Sequence, residues 1–124
     1  MQLSRKHRAL LFISYAIVIT VLSLLPANTA PSFGIWDKVQ HFSAYLLFMV
    51  LAFPLAHWHR WRLLTAVGII AYSVMMEYAQ RLSPGRQTSW EDVFANSLGV
   101  AAGYLLAWGL FYSIKCFRKN DSQR

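Results

Sequence analysis

Charge is scarce in this chain. Only 14% of its 124 residues are Asp, Glu, Lys or Arg, and 56% are apolar. An average soluble domain is about 25% charged and about 45–50% apolar, so this composition points to a protein whose solvent is lipid. Cysteine is nearly missing: the single Cys116 lies in a basic C-terminal segment, which excludes a disulfide within the chain. Acids are few, five against twelve Lys and Arg, for a net charge of +7. Repeats and low-complexity stretches are missing too. The length leaves room for about four spans of ~20 residues and no separate soluble domain.

What is present is a series of apolar runs. The pattern predicts an all-α integral membrane four-helix bundle, a single domain over 1–124, with spans at about 9–25, 40–56, 63–82 and 92–114. Run 9–25 follows RKHR and stops at Pro26. It is longer than a signal-peptide core, and PANTAPS puts Asn28 where a small residue should precede cleavage after Ala30, so it reads as an uncut first span. Pro54 bends or ends the second run. HWHRWR reads as a Trp-rich interfacial turn, SPGRQTSWE as a loop, and KCFRKNDSQR as a polar, frayed tail.

The bases flank the runs rather than forming one patch, a topology signal rather than a nucleic-acid footprint, and no nucleic-acid partner is expected. Arg5, Lys6, Arg8, Arg60, Arg62, Lys115, Arg118, Lys119 and Arg124 fall on one side, and Lys38, Arg81 and Arg86 on the other. The positive-inside rule then places both termini in the cytoplasm. Four of the five acids, Asp37, Glu77, Glu91 and Asp92, gather at the outer ends of the spans.

Helical spacing groups these polar residues into stripes. Asp37, His41 and Tyr45 share a face of the second span; Glu77 and Gln80 share one on the third; Asp92, Asn96, Gly99 and Gly103 form a seam on the fourth. The glycines make a GxxxG pattern, suited to packing within the monomer or to a homodimer. Several of these residues have plain structural uses. Asp37 with Gln40, and Ser89 with Asp92, look like helix caps. Lys38 and Arg81 suit snorkelling to headgroups, and Tyr45 suits the core. Glu77 resists such a reading: it looks neither like a cap nor like a helix end, and a carboxylate within a span costs ~2.5–3.5 kcal/mol. Arg86, Lys38 and His41 are its candidate partners.

The stretches DKVQHFSAYLL and EYAQRLSPGRQTSWEDVFANSLGVAAGYL resemble the VanZ-like family of small bacterial membrane proteins. The matching residues are Asp37, Lys38, His41, Phe42 and Tyr45; Glu77 and Gln80; Pro84 and Arg86; Asp92, Asn96 and Gly99. The resemblance implies a multi-pass protein of the bacterial cytoplasmic (inner) membrane, in a family whose founding member is linked to teicoplanin resistance. It implies the envelope setting and the site positions, not resistance to a drug.

Two functions from different classes remain. The first is binding or translocation of an anionic envelope component: a lipid-linked phosphate, a phospholipid headgroup or a wall-precursor carboxylate. Asp37, Lys38, His41, Tyr45, Glu77, Gln80, Arg86, Asp92 and Asn96 would form the site, with Lys38 and Arg86 as donors to the anion. The second is an enzyme on a lipid-borne or wall precursor, with His41, Glu77 and Asp92 as candidate acids and bases. A scaffold whose ion cluster fixes helix register is a further alternative. A metal held by His41 with Asp37, Glu77 and Asp92 would be opposed by Lys38 and Arg86, so no metal or cofactor is expected. Membrane lipids are the expected partners, with a homodimer through Gly99 and Gly103 as a further possibility.

Overall fold

Four helices account for the described residues, with no strand among them. They are α1 (Arg5–Leu24), α2 (Asp37–Ala52), α3 (His59–Ala79) and α4 (Trp90–Asp121). The structure, a computed structural model, describes residues 3–26, 28 and 37–121, the side chains of 120 and 121 excepted. The rest of PANTAPS lies outside the described residues, as does the chain's last residue, Arg124. All four helices are long and apolar enough to cross a membrane.

The boundaries follow local chemistry. Ser4 caps α1, its side chain accepting the His7 backbone N–H at 3.4 Å. RKHR is therefore already helical and precedes the expected start. Helix α2 begins at Asp37 rather than near 40 and gives way at Pro54 to a 3-10 turn, Phe53–Leu55. The interfacial turn expected at HWHRWR is shorter than expected, because α3 already starts at His59. The Arg62 guanidinium anchors that start, donating Nε to the Ala56 carbonyl at 2.9 Å and lying over the rings of Phe53 and Phe111. The tail is not frayed up to Asp121. Its Lys and Arg residues propagate helix well and suit a C-terminal turn, and α4 simply continues.

Between helices surrounded by lipid, burial gives no hydrophobic drive, so small residues and polar contacts decide the packing. Helices α2 and α4 share the most extensive contact. The reason is the glycine seam: a Cβ at Gly99 would overlap the Phe42 carbonyl oxygen, and one at Gly103 the Leu46 carbonyl oxygen. Backbone thus lies on backbone. The seam packs within the chain, the first of the two uses its GxxxG pattern suits.

Phe48 centres the core, with the rings of Phe12, Tyr15, Tyr45 and Tyr72 at 5.2 to 6.0 Å. Met49, Ala52, Ile69 and Val100 complete the packing around it. Several hydroxyls inside the spans bond back to their own helix, as Thr20 does to Ala16 and Ser97 to Val93, both at 2.8 Å, which satisfies them without a partner from outside.

The helices alternate in direction. Ser83, after α3, bonds the carbonyl of Leu24 at the end of α1. At the opposite end Phe53, after α2, meets Tyr104 and Phe111 of α4. The start of α1 and the end of α4 therefore share one end of the bundle, and the polar stripes occupy the other.

Candidate functional site

The α3–α4 connection builds this polar end. Ser83-Pro84-Gly85-Arg86 is a turn with Pro second and Gly third, closed by the Arg86 N–H to the Ser83 carbonyl at 3.2 Å. Gly85 has φ 75°, the left-handed value that this turn pattern requires and glycine permits. The turn folds Arg86 back to α1, where Nη2 donates to the Ser23 carbonyl at 3.2 Å. Together with Ser83 on Leu24 at 2.7 Å, it satisfies carbonyls that the last turn of α1 leaves open. The Nε of Arg86 is buried without a hydrogen-bond partner.

Glu77 overturns its sequence reading. It is 1% exposed, yet it lies in the last turn of α3, and its Oε2 accepts the Ser89 backbone N–H at 3.1 Å. It acts as a cap after all, for the helix that follows. Ser89 meanwhile accepts the Asp92 N–H on Oγ at 3.3 Å. A capping box would return the carboxylate three residues on to the cap's own N–H; here Glu77 takes that N–H from another helix. Asp92 is thereby released to face α2.

On α2, Lys38 pairs with Glu91 and lies 3.5 Å from Asp92 Oδ1. It is held by α4 rather than turned to headgroups alone. His41 Nδ1 lies 3.1 Å from Asn96 Oδ1. A carbonyl oxygen only accepts, so the Nδ1 proton is donated to Asn96. His41 Nε2 is 3.8 Å from Asp92 Oδ2. Asn96, at 1% exposure, is the group that orients the imidazole.

A cleft of about 180 Å³ adjoins this cluster. Tyr15, Val18, Ile19 and Leu22 of α1 line it, with Asp37, His41, Ala44 and Tyr45 of α2, and with Gln80 and Arg86. Of the expected residues, the structure brings Asp37, His41, Tyr45, Gln80 and Arg86 to the cleft and Lys38, His41, Asp92 and Asn96 into one cluster. Glu77 stands apart on Ser89. Sequence reasoning did not single out Glu91 as part of the group; its place one residue before Asp92, opposite Lys38 on the neighbouring helix, was the available signal.

These features define a class: a multi-pass, all-helical membrane protein whose polar residues are buried at one end of a four-helix bundle. Residues 6–112 match the VanZ/LLP1 family model, and the chain belongs to that family. No curated protein and no solved structure matches it.

Proposed function

We propose that the chain holds, or passes across the bilayer, an anionic component of the cell envelope: a lipid-linked phosphate, a phospholipid headgroup or a wall-precursor carboxylate. The cleft between α1 and α2 receives it, at the outer face of the bacterial cytoplasmic membrane. One observation carries the reading. Val18, Ile19, Leu22 and Ala44 give the cleft apolar walls, and the same cleft reaches Arg86, whose Nε has no hydrogen-bond partner. An amphiphile with a charged oxygen needs that combination, and a guanidinium suits a phosphate or carboxylate. The outer placement rests on the bias of bases toward the end that carries the termini.

The second reading, an enzyme on a lipid-borne or wall precursor, draws support from His41 being fixed by Asn96 beside Asp92. Glu77 supports it less, because its carboxylate is occupied by Ser89. A parallel measurement separates the two. Binding of a phosphate-bearing lipid and of its dephosphorylated analogue is measured on wild type, Arg86→Lys and His41→Gln, with phosphate release followed alongside. Preference for the phosphate that drops in Arg86→Lys, without turnover, is the expected result. Turnover by wild type that vanishes in His41→Gln overturns it in favour of the enzyme.

A further inference from the structure

We propose that Asp37, His41 and Asp92 form a divalent-cation site, with Zn²⁺ as the ion its donors suit. The proposal stands independently of the anion-binding reading, since it concerns the ion alone. One donor atom from each of these residues lies within 4.8 Å of the others. An imidazole nitrogen with two carboxylate oxygens is a zinc donor set, and bonds of about 2.0–2.2 Å would draw the donors to roughly 3–3.6 Å apart. A small closing movement reaches that geometry.

The stronger observation is the state of His41. Its Nδ1 proton is committed to Asn96, as the second ring nitrogen of a metal-binding histidine commonly is to a carbonyl or carboxylate. In the neutral ring Nε2 is then a bare acceptor, and it faces Asp92 Oδ2 across 3.8 Å. That gap is too long for a hydrogen bond. Two acceptors confronting each other on a largely shielded pair of side chains call for a positive charge between them. A proton on Nε2 is one answer and a metal ion is the other.

Charge favours the ion. Asp37, Glu91 and Asp92 contribute three negative charges and Lys38 one positive, so a divalent ion would bring the group to neutrality. Lys38 does not exclude it, because Glu91 gives that ammonium a carboxylate of its own, and the Arg86 guanidinium is turned to the Ser23 carbonyl of α1. Glu77 is no ligand, being turned to Ser89. Three protein donors leave zinc a fourth position, on the side where Asp37 and His41 line the cleft.

The test uses the full chain without an affinity tag, purified in detergent, stripped with chelator and re-equilibrated with Zn²⁺. Expected is about one equivalent per chain, with Co²⁺ in its place giving a visible absorption spectrum. Asp37→Asn, His41→Gln and Asp92→Asn should each weaken binding at least tenfold. Asn96→Ala should weaken it about 10–100-fold through loss of orientation. His7→Gln, His57→Gln and His59→Gln should leave it unchanged. Helicity is checked for each variant. Should Asp92→Asn misfold, Asp37→Asn at the half-buried start of α2 carries the comparison. Equal zinc content in wild type and Asp37→Asn, or no zinc in wild type, overturns the site.

Discussion

Glu77 of α3 holds the backbone N–H of Ser89, the residue immediately before α4, at 3.1 Å. Twelve residues separate the two, yet the contact fixes where α4 begins and frees Asp92 to meet Lys38 and His41. A deeply buried carboxylate is tolerated here because it completes a helix terminus. Thr88 adds to the junction, donating Oγ1 to the Glu77 carbonyl at 3.3 Å and accepting from Arg81 Nε at 2.6 Å.

Glu77→Gln keeps an oxygen that can accept from Ser89, whereas Glu77→Ala leaves that amide unmatched. The alanine variant should lose about 1–3 kcal/mol and the glutamine variant clearly less. Thermal unfolding in detergent reads the difference. Equal losses would mean that the charge of Glu77, and not its cap, stabilises the bundle.

Glycines on the two faces of the bundle should respond with opposite signs. Gly99→Ala and Gly103→Ala drive a methyl into the backbone of α2, while Gly68 and Gly109 have open space beside them. The first pair should destabilise by more than ~1 kcal/mol, within the range of overpacking. The second pair should be neutral or gain up to about 1 kcal/mol from helix propensity. Unfolding midpoints of the four variants decide, and a stable Gly99→Ala would refute the close α2–α4 approach.

Sidedness is testable with two cysteines. Gln87 is exposed in the α3–α4 connection, and Cys116 is exposed near the end of α4. In intact cells an impermeant maleimide should label Gln87→Cys in a Cys116→Ser background. The native Cys116 should react only after permeabilisation. Labelling of both from one side would contradict a four-span topology.

Arg62→Lys should not behave as a conservative change. The guanidinium lies 4.3 Å from the Phe53 ring centre and 4.7 Å from that of Phe111 while bonding the Ala56 carbonyl. An ammonium cannot reproduce this planar stacking, and a loss of about 0.5–2 kcal/mol is expected. Arg62→Lys unfolding at the wild-type midpoint would show the stacking to be incidental.

The spans and the convergence of the polar stripes were legible because both depend on periodicity along single helices. Asp37 with His41, and Asp92 with Asn96, needed only the four-residue repeat. The partners were harder. Glu77 reads as a charge inside the span, short of its outer end, until the true end of α3 at Ala79 is known. Its acceptor role depends on how the Pro84-Gly85 turn brings Ser89 back, a three-dimensional closure that spacing does not encode. Lys38 with Glu91, and His41 with Asn96, lie more than fifty residues apart, so only the crossing of α2 on α4 pairs them. The tail misled for another reason: polarity was taken for loss of helix, although Lys and Arg favour helix as well as most residues do.

That tail divides α4 into two mechanical parts. At ~1.5 Å per residue its 32 residues extend ~48 Å, well beyond a hydrocarbon layer of about 30 Å. From Tyr112 to Lys119 every residue is exposed, so these last turns bury little against the rest of the bundle. Such a segment persists because it grows from an already formed helix and escapes the unfavourable step of nucleation. Its amides should open and close without disturbing the rest. Hydrogen exchange along α4 should therefore fall in a gradient, fast past residue 111 and slowest around Asn96 to Gly103, where the backbone of α2 shields the helix.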